Sequence, residues 1–373
     1  MEKILPWFAL KSVHGVGNHL FKRLIDRFKS PEQVFSASYN DLLQVEGISH
    51  RLASAIQKHK IPDAVKKDLD LAFNKGFRIV TMADPDYPPL LLQIPDPPAY
   101  LYIFGNLDNS TNNIAVVGSR NATNYGIFTT KRLCRDLVAL KIKVVSGMAR
   151  GIDTAAHEGA LLGNGKTIAV LGSGLGKVYP YENIKLFHKI AENGAVISEF
   201  PVMAKPEAHN FPLRNRIICG ISQGTVVVEA TRKSGSLITA SLAADQGREV
   251  FAVPGSIHSF KSAGTHSLLK QGAKLVEHAH DIVEELSHVI HHSNDKNTPL
   301  NRPTNKIMDK PLSLSSDESL VFNALEPYPI YIDDIARKIS MEPGKMSSIL
   351  LRLELKGIVR QSPGKLFSIS EKK

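Results

Sequence analysis

Short runs of β-branched and apolar residues alternate with longer amphipathic stretches from residue 113 onward. Almost every run ends in glycine, an acidic residue or proline, and a helical pattern follows directly. Alternation at this spacing is typical of βαβ units, which form a parallel sheet covered by helices. The central region therefore predicts an α/β fold, a Rossmann-like, doubly wound and mostly parallel sheet. The runs are "IAVVG", "KVVSG", "TIAVLG", "AVISEF", "TVVVEA" and "EVFAVPG".

The region before this core has two different patterns. Within residues 1–61, "LKSVHGVGNHLFKRLIDRF" and "LLQVEGISHRLASAIQK" each show a helix end, a glycine turn and an amphipathic helix. This repeat predicts a helix-hairpin-helix-like domain, and a small bundle whose glycines only permit tight turns is the alternative. Residues 62–112 are rich in proline. We therefore expect no helix there, and a bridge of extended segments that adds strands to the core.

The region after the core predicts two further parts. The Rossmann-like core takes residues 113–290, and residues 291–311 have so little apolar content that they predict a flexible linker. Residues 312–373 show three short helices followed by two strands, which predicts a winged-helix domain. Their 9 basic and 8 acidic residues give little attraction to a duplex, so a weak or protein-contacting role is favoured over groove binding.

The charge distribution indicates an anionic partner. The chain of 373 residues has a formal net charge of +10, and the surplus lies in residues 1–61 and 113–290. The two cysteines, Cys134 and Cys219, are too few for a disulfide framework and fit a cytoplasmic protein. The sequence has no signal-peptide pattern and no apolar run long enough to span a membrane, so we expect no membrane insertion.

The loop "VVGSRNATNYG" after the first core strand has the composition of a phosphate cradle. Gly118 allows a tight turn, Ser119 supplies a hydroxyl donor, and Arg120 supplies a planar fork that can bind phosphate in a bidentate manner. Tyr125 offers a ring face for a base. The alternative interpretation is that Arg120 forms a surface ion pair.

Further loops at strand ends carry cations, glycines and serines. The carboxyl ends of parallel strands meet at one edge of a sheet, so we expect these loops to form one rim. A single nucleotide needs one or two such loops, whereas a strand of nucleic acid passes several. One arginine of "FPLRNRIICG" can instead pair with Glu199. The predicted anion-binding residues in these loops are Arg150, Lys177, Arg214, Arg216, Lys233, Ser234, Gly235 and Ser236.

No catalytic machinery is predicted. The chain has no G-x-x-x-x-G-K-[ST] motif, and its histidines near residue 280 have irregular spacing without cysteine or carboxylate partners, so we expect no metal and no cofactor. Asp153 and His157 lie one helical turn apart, which suggests acid–base chemistry. We interpret Asp153 instead as a helix cap or orienting group, because no nucleophile accompanies the pair.

Seven ordered motifs, "GSRNATNYG", "SGMARGIDTAAH", "GSGLGKVYP", "SEFP", "FPLRNRII", "KSGSLITA" and "VPGS", resemble the DNA processing protein A family (DprA, also called Smf). The resemblance implies a homodimer that binds and protects incoming single-stranded DNA and loads RecA recombinase during natural transformation. It also implies DNA contacts at Arg120 and Lys233, and a non-enzymatic role.

Two other functions compete with this interpretation. A nucleotide-binding or phosphoribohydrolase-like Rossmann enzyme would use Glu229 or Glu199, but the P-G-G-x-G-T signature of that group is absent and "GTVVVEA" keeps only part of it. A duplex-binding transcription regulator would act through the winged helix, which the near-neutral charge of that domain disfavours.

Overall fold

The computed structural model describes residues 3–287, 289, 315–325 and 329–369. Most of the chain up to Glu285 belongs to one compact unit, and the elements from Ser316 to Ile369 belong to a second. The predicted domain boundaries at residues 61, 112, 290 and 311 remain predictions. The predicted linker at residues 291–311 lies outside the described residues.

The N-terminal region is helical, with serine caps and glycine turns. Ser30, Ser38 and Ser49 each accept a hydrogen bond from a backbone N–H of the first turn that follows. Gly15 and Gly47 have φ of +97° and +92°, which glycine adopts without strain. The helices are α1 (Leu5–Ser12), α2 (Asn18–Phe28), α3 (Pro31–Ser36), α4 (Tyr39–Leu43), α5 (His50–Gln57) and α6 (Asp63–Asn74).

Helix α6 corrects the prediction that residues 62–112 contain no helix. Pro62 is its N-cap, and the next proline along the chain is Pro85, so the 12 residues of α6 keep all their backbone donors. Leu69 and Ala72 are buried on its inner face. The proline content of the whole segment was misleading because the prolines lie outside this stretch.

The rest of the proline-rich segment supplies the two strands that the sequence predicts. A short helix, α7 (Pro89–Leu92), starts at a proline, where no backbone donor is needed. Strands β1 (Arg78–Thr81) and β2 (Tyr100–Gly105) pair with each other antiparallel, and β2 pairs antiparallel with the core strand β6 (Ala195–Ser198). The bridge therefore extends one edge of the core sheet.

The core sheet has nine strands in the order β1-β2-β6-β5-β4-β3-β7-β8-β9, and the strands from β3 to β9 are mutually parallel where they pair. This arrangement confirms the predicted doubly wound α/β fold. Strands β4, β5 and β6 follow one another on one side of β3, and β7, β8 and β9 follow one another on its other side. The remaining strands are β3 (Asn113–Val117), β4 (Lys143–Ser146), β5 (Thr167–Val170), β7 (Gly224–Val227), β8 (Glu249–Ala252) and β9 (Lys274–Leu275).

Helices connect the parallel strands and cover both faces of the sheet. The order of the strands reverses beside β3, and such a reversal opens a crevice at the carboxyl ends of the strands. Two short 3₁₀ helices cover Tyr181–Asn183 and Phe260–Ser262. The α-helices are α8 (Asn124–Ala139), α9 (Ile152–Leu162), α10 (Ile184–Asn193), α11 (Asn210–Gly220), α12 (Gly235–Asp245), α13 (Ala263–Lys270) and α14 (Ala279–Glu285).

The second unit is a winged helix, as the sequence predicts. Val321, Ile335, Met346 and Leu350 are buried in its core. A short strand that the sequence analysis did not predict, β10, pairs with the wing, giving the order β10-β12-β11. Its elements are α15 (Ser316–Ala324), β10 (Ile330–Tyr331), α16 (Ile332–Ile339), α17 (Pro343–Leu355), β11 (Val359–Ser362) and β12 (Leu366–Ile369).

Candidate nucleic-acid interface

An open cleft of about 870 Å³ lies at the carboxyl ends of the core strands. The loops that follow β3, β4, β5 and β7 line it, together with the first turns of α11 and α12. The topology therefore brings several predicted loops to one rim. The predicted site residues that line the cleft are Gly118, Ser119, Arg120, Arg150, Arg214, Ser234, Gly235 and Ser236.

The loops after β3 and β4 pack closely against each other at two glycines. A Cβ on Gly118 would lie 2.7 Å from Cγ1 of Ile152, and a Cβ on Gly151 would lie 2.3 Å from the carbonyl oxygen of Ser119. The N–H of Ile152 donates to that same carbonyl at 3.1 Å. The backbone that carries Arg120 is therefore held in place by the start of α9.

Arg120 is exposed at the mouth of the cleft. Its Cζ lies 5.3 Å from the centroid of the Phe211 ring, a distance at which a guanidinium and an aromatic ring attract each other. Among the described residues, its guanidinium has no hydrogen-bond or ion-pair partner. The described part of the chain therefore contains no ion-pair partner for Arg120, which the alternative interpretation requires.

Arg214 forms the floor of the cleft. Its Nη1 donates to the carbonyl oxygens of Gly147 and Val170, both at 2.6 Å, and its Cζ lies 5.7 Å from the Phe211 ring. Burial lowers the pKa of Arg214 to about 10, so the side chain stays charged at neutral pH. Arg214 thus fixes the ends of β4 and β5 and places a second positive charge below Phe211.

Asp153 also lines the cleft and acts as an orienting group. One carboxylate oxygen accepts a hydrogen bond from the N–H of Ala149 at 3.4 Å. Burial raises the pKa of Asp153, and the positive charge of Arg214 opposes that change, with a smaller contribution from Arg120. Asp153 therefore ties the loop after β4 to the first turn of α9.

His157 faces the core instead of the cleft. The side chain is fully buried, and its Nδ1 lies 2.7 Å from Oγ1 of Thr167. Burial lowers the pKa of His157 to about 3, which keeps the imidazole neutral. An acid–base pair of Asp153 and His157 is therefore excluded by geometry, because only Asp153 reaches the cleft.

The N-terminus of α12 forms part of the wall of the cleft. Ser234 is its N-cap, and its hydroxyl accepts from the N–H of Ser236 at 3.4 Å and lies 2.7 Å from the Ser236 hydroxyl. A Cβ on Gly235 would have no neighbour within 4 Å, so the backbone there is open to an approaching group. Hydroxyls, backbone N–H groups and the helix dipole make this wall suitable for an anion.

Arg150 stands at the rim with a partner. Its guanidinium forms an ion pair with Glu182, in which Nη2 donates to Oε2 at 3.1 Å. Both side chains are more than half exposed. The pair raises the pKa of Arg150 and lowers the pKa of Glu182 through the hydrogen bond that they share. Arg150 therefore adds little net charge to the cleft.

Arg216 does not join the cleft, which corrects its prediction as an anion contact. Its side chain is 6% exposed, its Nη2 donates to Glu199, and its Nε lies 3.1 Å from Oδ2 of Asp96. Asn18 of α2 also reaches Glu199. Arg216 is thus buried between two partly buried carboxylates, those of Glu199 and Asp96, and the three residues are called the junction cluster below. The alternative pairing of one arginine with Glu199 anticipated this contact.

Three other predicted residues do not line the cleft. Lys233 is exposed immediately before α12, Lys177 is exposed in the loop after β5, and Tyr125 lies in the first turn of α8. The sequence analysis missed Phe211, whose ring is flanked by two guanidiniums, and Tyr179, whose ring lies 5.9 Å from that of Phe211. The spacing of Phe211 and Arg214 on one face of a helix was an available signal.

The acid groups of the competing enzyme hypothesis are also outside the cleft. Neither Glu229, which is buried, nor Glu199, which is partly buried and paired with Arg216, lines the cleft. Within the described ranges, no group of His, Cys, Asp or Glu side chains could hold a metal ion. None of the helices in these ranges has the length and apolar character that a membrane span requires.

Comparison with known proteins gives consistent matches. A family model described as DNA recombination-mediator protein A matches residues 78–287, and a DprA winged-helix model matches residues 308–365. Protein Smf of Synechocystis is 35% identical over 384 residues, which is 96% of each chain. The DNA processing protein DprA of Streptococcus pneumoniae is 40% identical over 246 residues, 66% of this chain and 86% of that protein.

Two solved structures are also similar. The X-ray structure of DprA from S. pneumoniae has a TM-score of 0.66 at 35% identity and covers 76% of this chain and 98% of its own. A structure of DNA processing protein A from Helicobacter pylori, described by its single-stranded DNA binding mode, has a TM-score of 0.51 at 30% identity and covers 58% and 98%. With its ordered motifs, its doubly wound core and its winged helix, this chain belongs to the DNA recombination-mediator protein A (DprA/Smf) family.

Proposed function

We propose that the cleft holds the phosphodiester backbone of single-stranded DNA and that the chain acts without catalysing a reaction. The observation that carries this proposal is the exposed Arg120 guanidinium, which has no ion-pair partner among the described residues and lines the same cleft as the N-terminus of α12. A planar cation in the same cleft as the N-terminus of a helix is a suitable arrangement for a phosphate.

Two further features support a strand over a duplex or an isolated nucleotide. Tyr179 lines the cleft beside Phe211 and is exposed, so its ring offers a face on which an unpaired base can stack without sequence preference. Lys233 and Lys177 are exposed outside the cleft and can attract neighbouring phosphates of a longer strand. The H. pylori relative, described by its single-stranded DNA binding mode, belongs to the same family.

The finer role that we propose follows the family resemblance. The protein would act in the cytoplasm as a homodimer, protect incoming single strands and load RecA onto them during natural transformation. A RecA strand-exchange assay tests the loading step: addition of the protein should relieve inhibition by a single-strand-binding protein, and an Arg120→Ala variant should not.

The direct test is fluorescence anisotropy with a short oligothymidine at several salt concentrations. Removing one phosphate contact from a single strand should flatten the slope of log K against log salt by about 0.7. We expect this for Arg120→Ala and for Lys233→Ala, with weaker binding to every sequence tested. Thermal melting should be unchanged, because both side chains are exposed.

Arg135→Ala is the matched control. Arg135 is 59% exposed on α8, does not line the cleft and pairs with the neighbouring Asp136, so the variant loses the same charge elsewhere. If Arg120→Ala and Lys233→Ala bound with the same slope as Arg135→Ala and the wild type, the cleft would not be the DNA site. The cationic N-terminal hairpins would then become the better candidate.

A further inference from the structure

The loop after β8 carries two apolar side chains that are mostly in contact with solvent. Phe260 begins the short 3₁₀ helix Phe260–Ser262 and is 71% exposed, and Ile257 of the same loop is 82% exposed. Neither residue lines the cleft. An exposed apolar side chain is common on a protein surface, so exposure alone assigns no role to this loop. Its contacts with the cleft loops give the Phe260 ring a defined place.

The backbone that carries Phe260 is held against the loop after β7. The N–H of Ala230 donates to the carbonyl oxygen of Lys261 at 2.9 Å, and the N–H of Gly264 donates to the carbonyl oxygen of Ala230 at 2.7 Å. A Cβ on Gly264 would lie only 2.7 Å from the Cβ of Ala230, so the two segments are in close contact. The next residue along the chain, Thr231, lines the cleft. The start of the 3₁₀ helix is therefore fixed beside one cleft loop.

Lys261 connects the same segment to the loop after β3. Its Nζ donates to the carbonyl oxygen of Asn121, which lines the cleft next to Arg120. The same Nζ lies 5.9 Å from the centroid of the Phe260 ring. One ammonium group thus separates the ring from the loop that carries Arg120. Because the segment is already fixed at two points, a ligand that contacts the ring has little backbone left to order.

We propose that Phe260 is a stacking platform for a base of the single strand, at the place where the strand leaves the cleft beside the Arg120 loop. This inference rests on the proposed function of the cleft. A strand whose phosphates are held by cations leaves its unpaired bases free to stack on aromatic rings, and every base has a π-face for such a contact. The Lys261 ammonium beside the ring adds positive charge for the adjoining phosphate. The binding site therefore extends from the cleft onto the loop after β8.

The first experiment places a fluorescent ring at the platform. The chain has one tryptophan, Trp7, which is 5% exposed, so Phe260→Trp would add the one exposed indole. Saturating oligothymidine should quench most of this added fluorescence, because a stacked base contacts the indole face. Leu162→Trp is the matched control, since Leu162 is 68% exposed on α9 and does not line the cleft. Its added fluorescence should change little under the same conditions.

The second experiment removes the ring. Phe260→Ala and Phe260→Leu should each weaken oligothymidine binding about fivefold or more, because leucine keeps the apolar volume but has no ring face. The slope of log K against log salt should stay that of the wild type, since no charge is lost. An abasic nucleotide moved along the oligothymidine should weaken wild-type binding at one position near an end. The same abasic position should cost nothing further in Phe260→Ala, because the contact is already absent.

The outcomes separate this inference from the proposed function. If the oligothymidine does not bind the wild type, the proposed function is wrong. If it binds but the indole of Phe260→Trp is not quenched, or Phe260→Leu binds as tightly as the wild type, Phe260 does not stack on a base and the DNA site in the cleft can stand. A flattened salt slope for Phe260→Ala also overturns the inference, because the loop would then act on phosphates and not on a base.

Discussion

Arg120 and Arg216 both stand in short motifs rich in arginine and asparagine, yet the fold gives them opposite surroundings. Arg120 is exposed at the mouth of the cleft and contacts the face of Phe211. Arg216 is 6% exposed in the junction cluster, between the carboxylates of Glu199 and Asp96. The first has a charge that is available to a ligand, and the second has a charge that is already compensated within the protein.

The difference comes from residues that are distant in sequence. Asp96 lies in the proline-rich bridge and Glu199 follows β6, and both reach Arg216 because β2 and β6 are adjacent in the sheet. In the described part of the chain no carboxylate forms an ion pair with Arg120, and Asp153 interacts with it only through a weaker electrostatic contribution. Whether an arginine can bind a phosphate is therefore decided by tertiary neighbours and not by its own motif.

The strongest test of this comparison is Arg216→Ala. We expect a loss of about 3 kcal/mol in the free energy of unfolding, because the partly buried carboxylates of Glu199 and Asp96 lose their main cation. Urea denaturation measures this loss. Arg120→Ala should leave the unfolding free energy unchanged. Equal stability of the two variants would show that Arg216 is no more important for folding than Arg120.

His157 extends the comparison to acidic pH, because it is the buried counterpart of Asp153 on the same helix. Its pKa in the folded state is about 3, against 6.5 in the unfolded chain. Protonation therefore favours unfolding, so the stabilising contribution is complete above pH 6.5 and is lost as the pH falls toward 3. At about pH 5 the loss should reach about 2 kcal/mol.

A His157→Gln variant measures the contribution of this one group. Its unfolding free energy should fall less between about pH 7 and pH 5 than that of the wild type, by roughly 2 kcal/mol. Parallel pH profiles for the two proteins would show that burial does not hold the imidazole neutral.

Two glycines of the cleft offer a sharper contrast. Gly118→Ala places a methyl group 2.7 Å from Ile152 Cγ1, and such overpacking should cost about 1–3 kcal/mol of stability. Gly235→Ala meets nothing within 4 Å and should melt like the wild type. It should nevertheless weaken oligothymidine binding, because the methyl group would stand beside the N-terminus of α12. Unimpaired binding by Gly235→Ala would place the strand elsewhere.

The smallest expected effect belongs to Arg120→Lys. The charge remains, so the salt slope should stay within experimental error of the wild type, while the loss of the bidentate fork should weaken binding several-fold, about 1 kcal/mol. Arg120→Ala should change both quantities. A flattened slope for the lysine variant would mean that geometry and charge cannot be separated at this position.

The sequence predicted the fold because its signal is periodic. The inner core strands β3, β5, β6 and β7 are buried along their length, and a loop and a helix follow each of them. Runs such as "IAVVG" therefore identify both the strand and the edge that it reaches. The placement of Arg120 and Ser234 on one rim follows from the parallel strands alone. The DNA contacts assigned to these residues remain predictions.

The parts that the sequence analysis missed depend on long-range contacts. The burial of Arg216 depends on Asp96, and the fixed position of Arg214 depends on carbonyl groups of two other strands. Helix α6 was missed for a different reason, since proline was counted over the segment and not position by position. A local pattern identifies a residue type at a strand end, but it does not show which groups from elsewhere will surround it.

The position of β3 in the middle of the sheet has a kinetic consequence. Its neighbours are β4, which follows it closely, and β7, where Ile114 pairs with Gly224 far along the chain. Closing that long loop costs entropy before any contact across it forms, so the β3–β7 pairing should be slow and late in folding. The loops after β3 and β4 form one part of the cleft, and the loop after β7 with the start of α12 forms another, so the cleft is complete only when β3 and β7 are paired. A partly folded or partly synthesised chain that lacks β7 and α12 therefore has no complete cleft. The ability to bind single-stranded DNA should appear only when β7 pairs with β3.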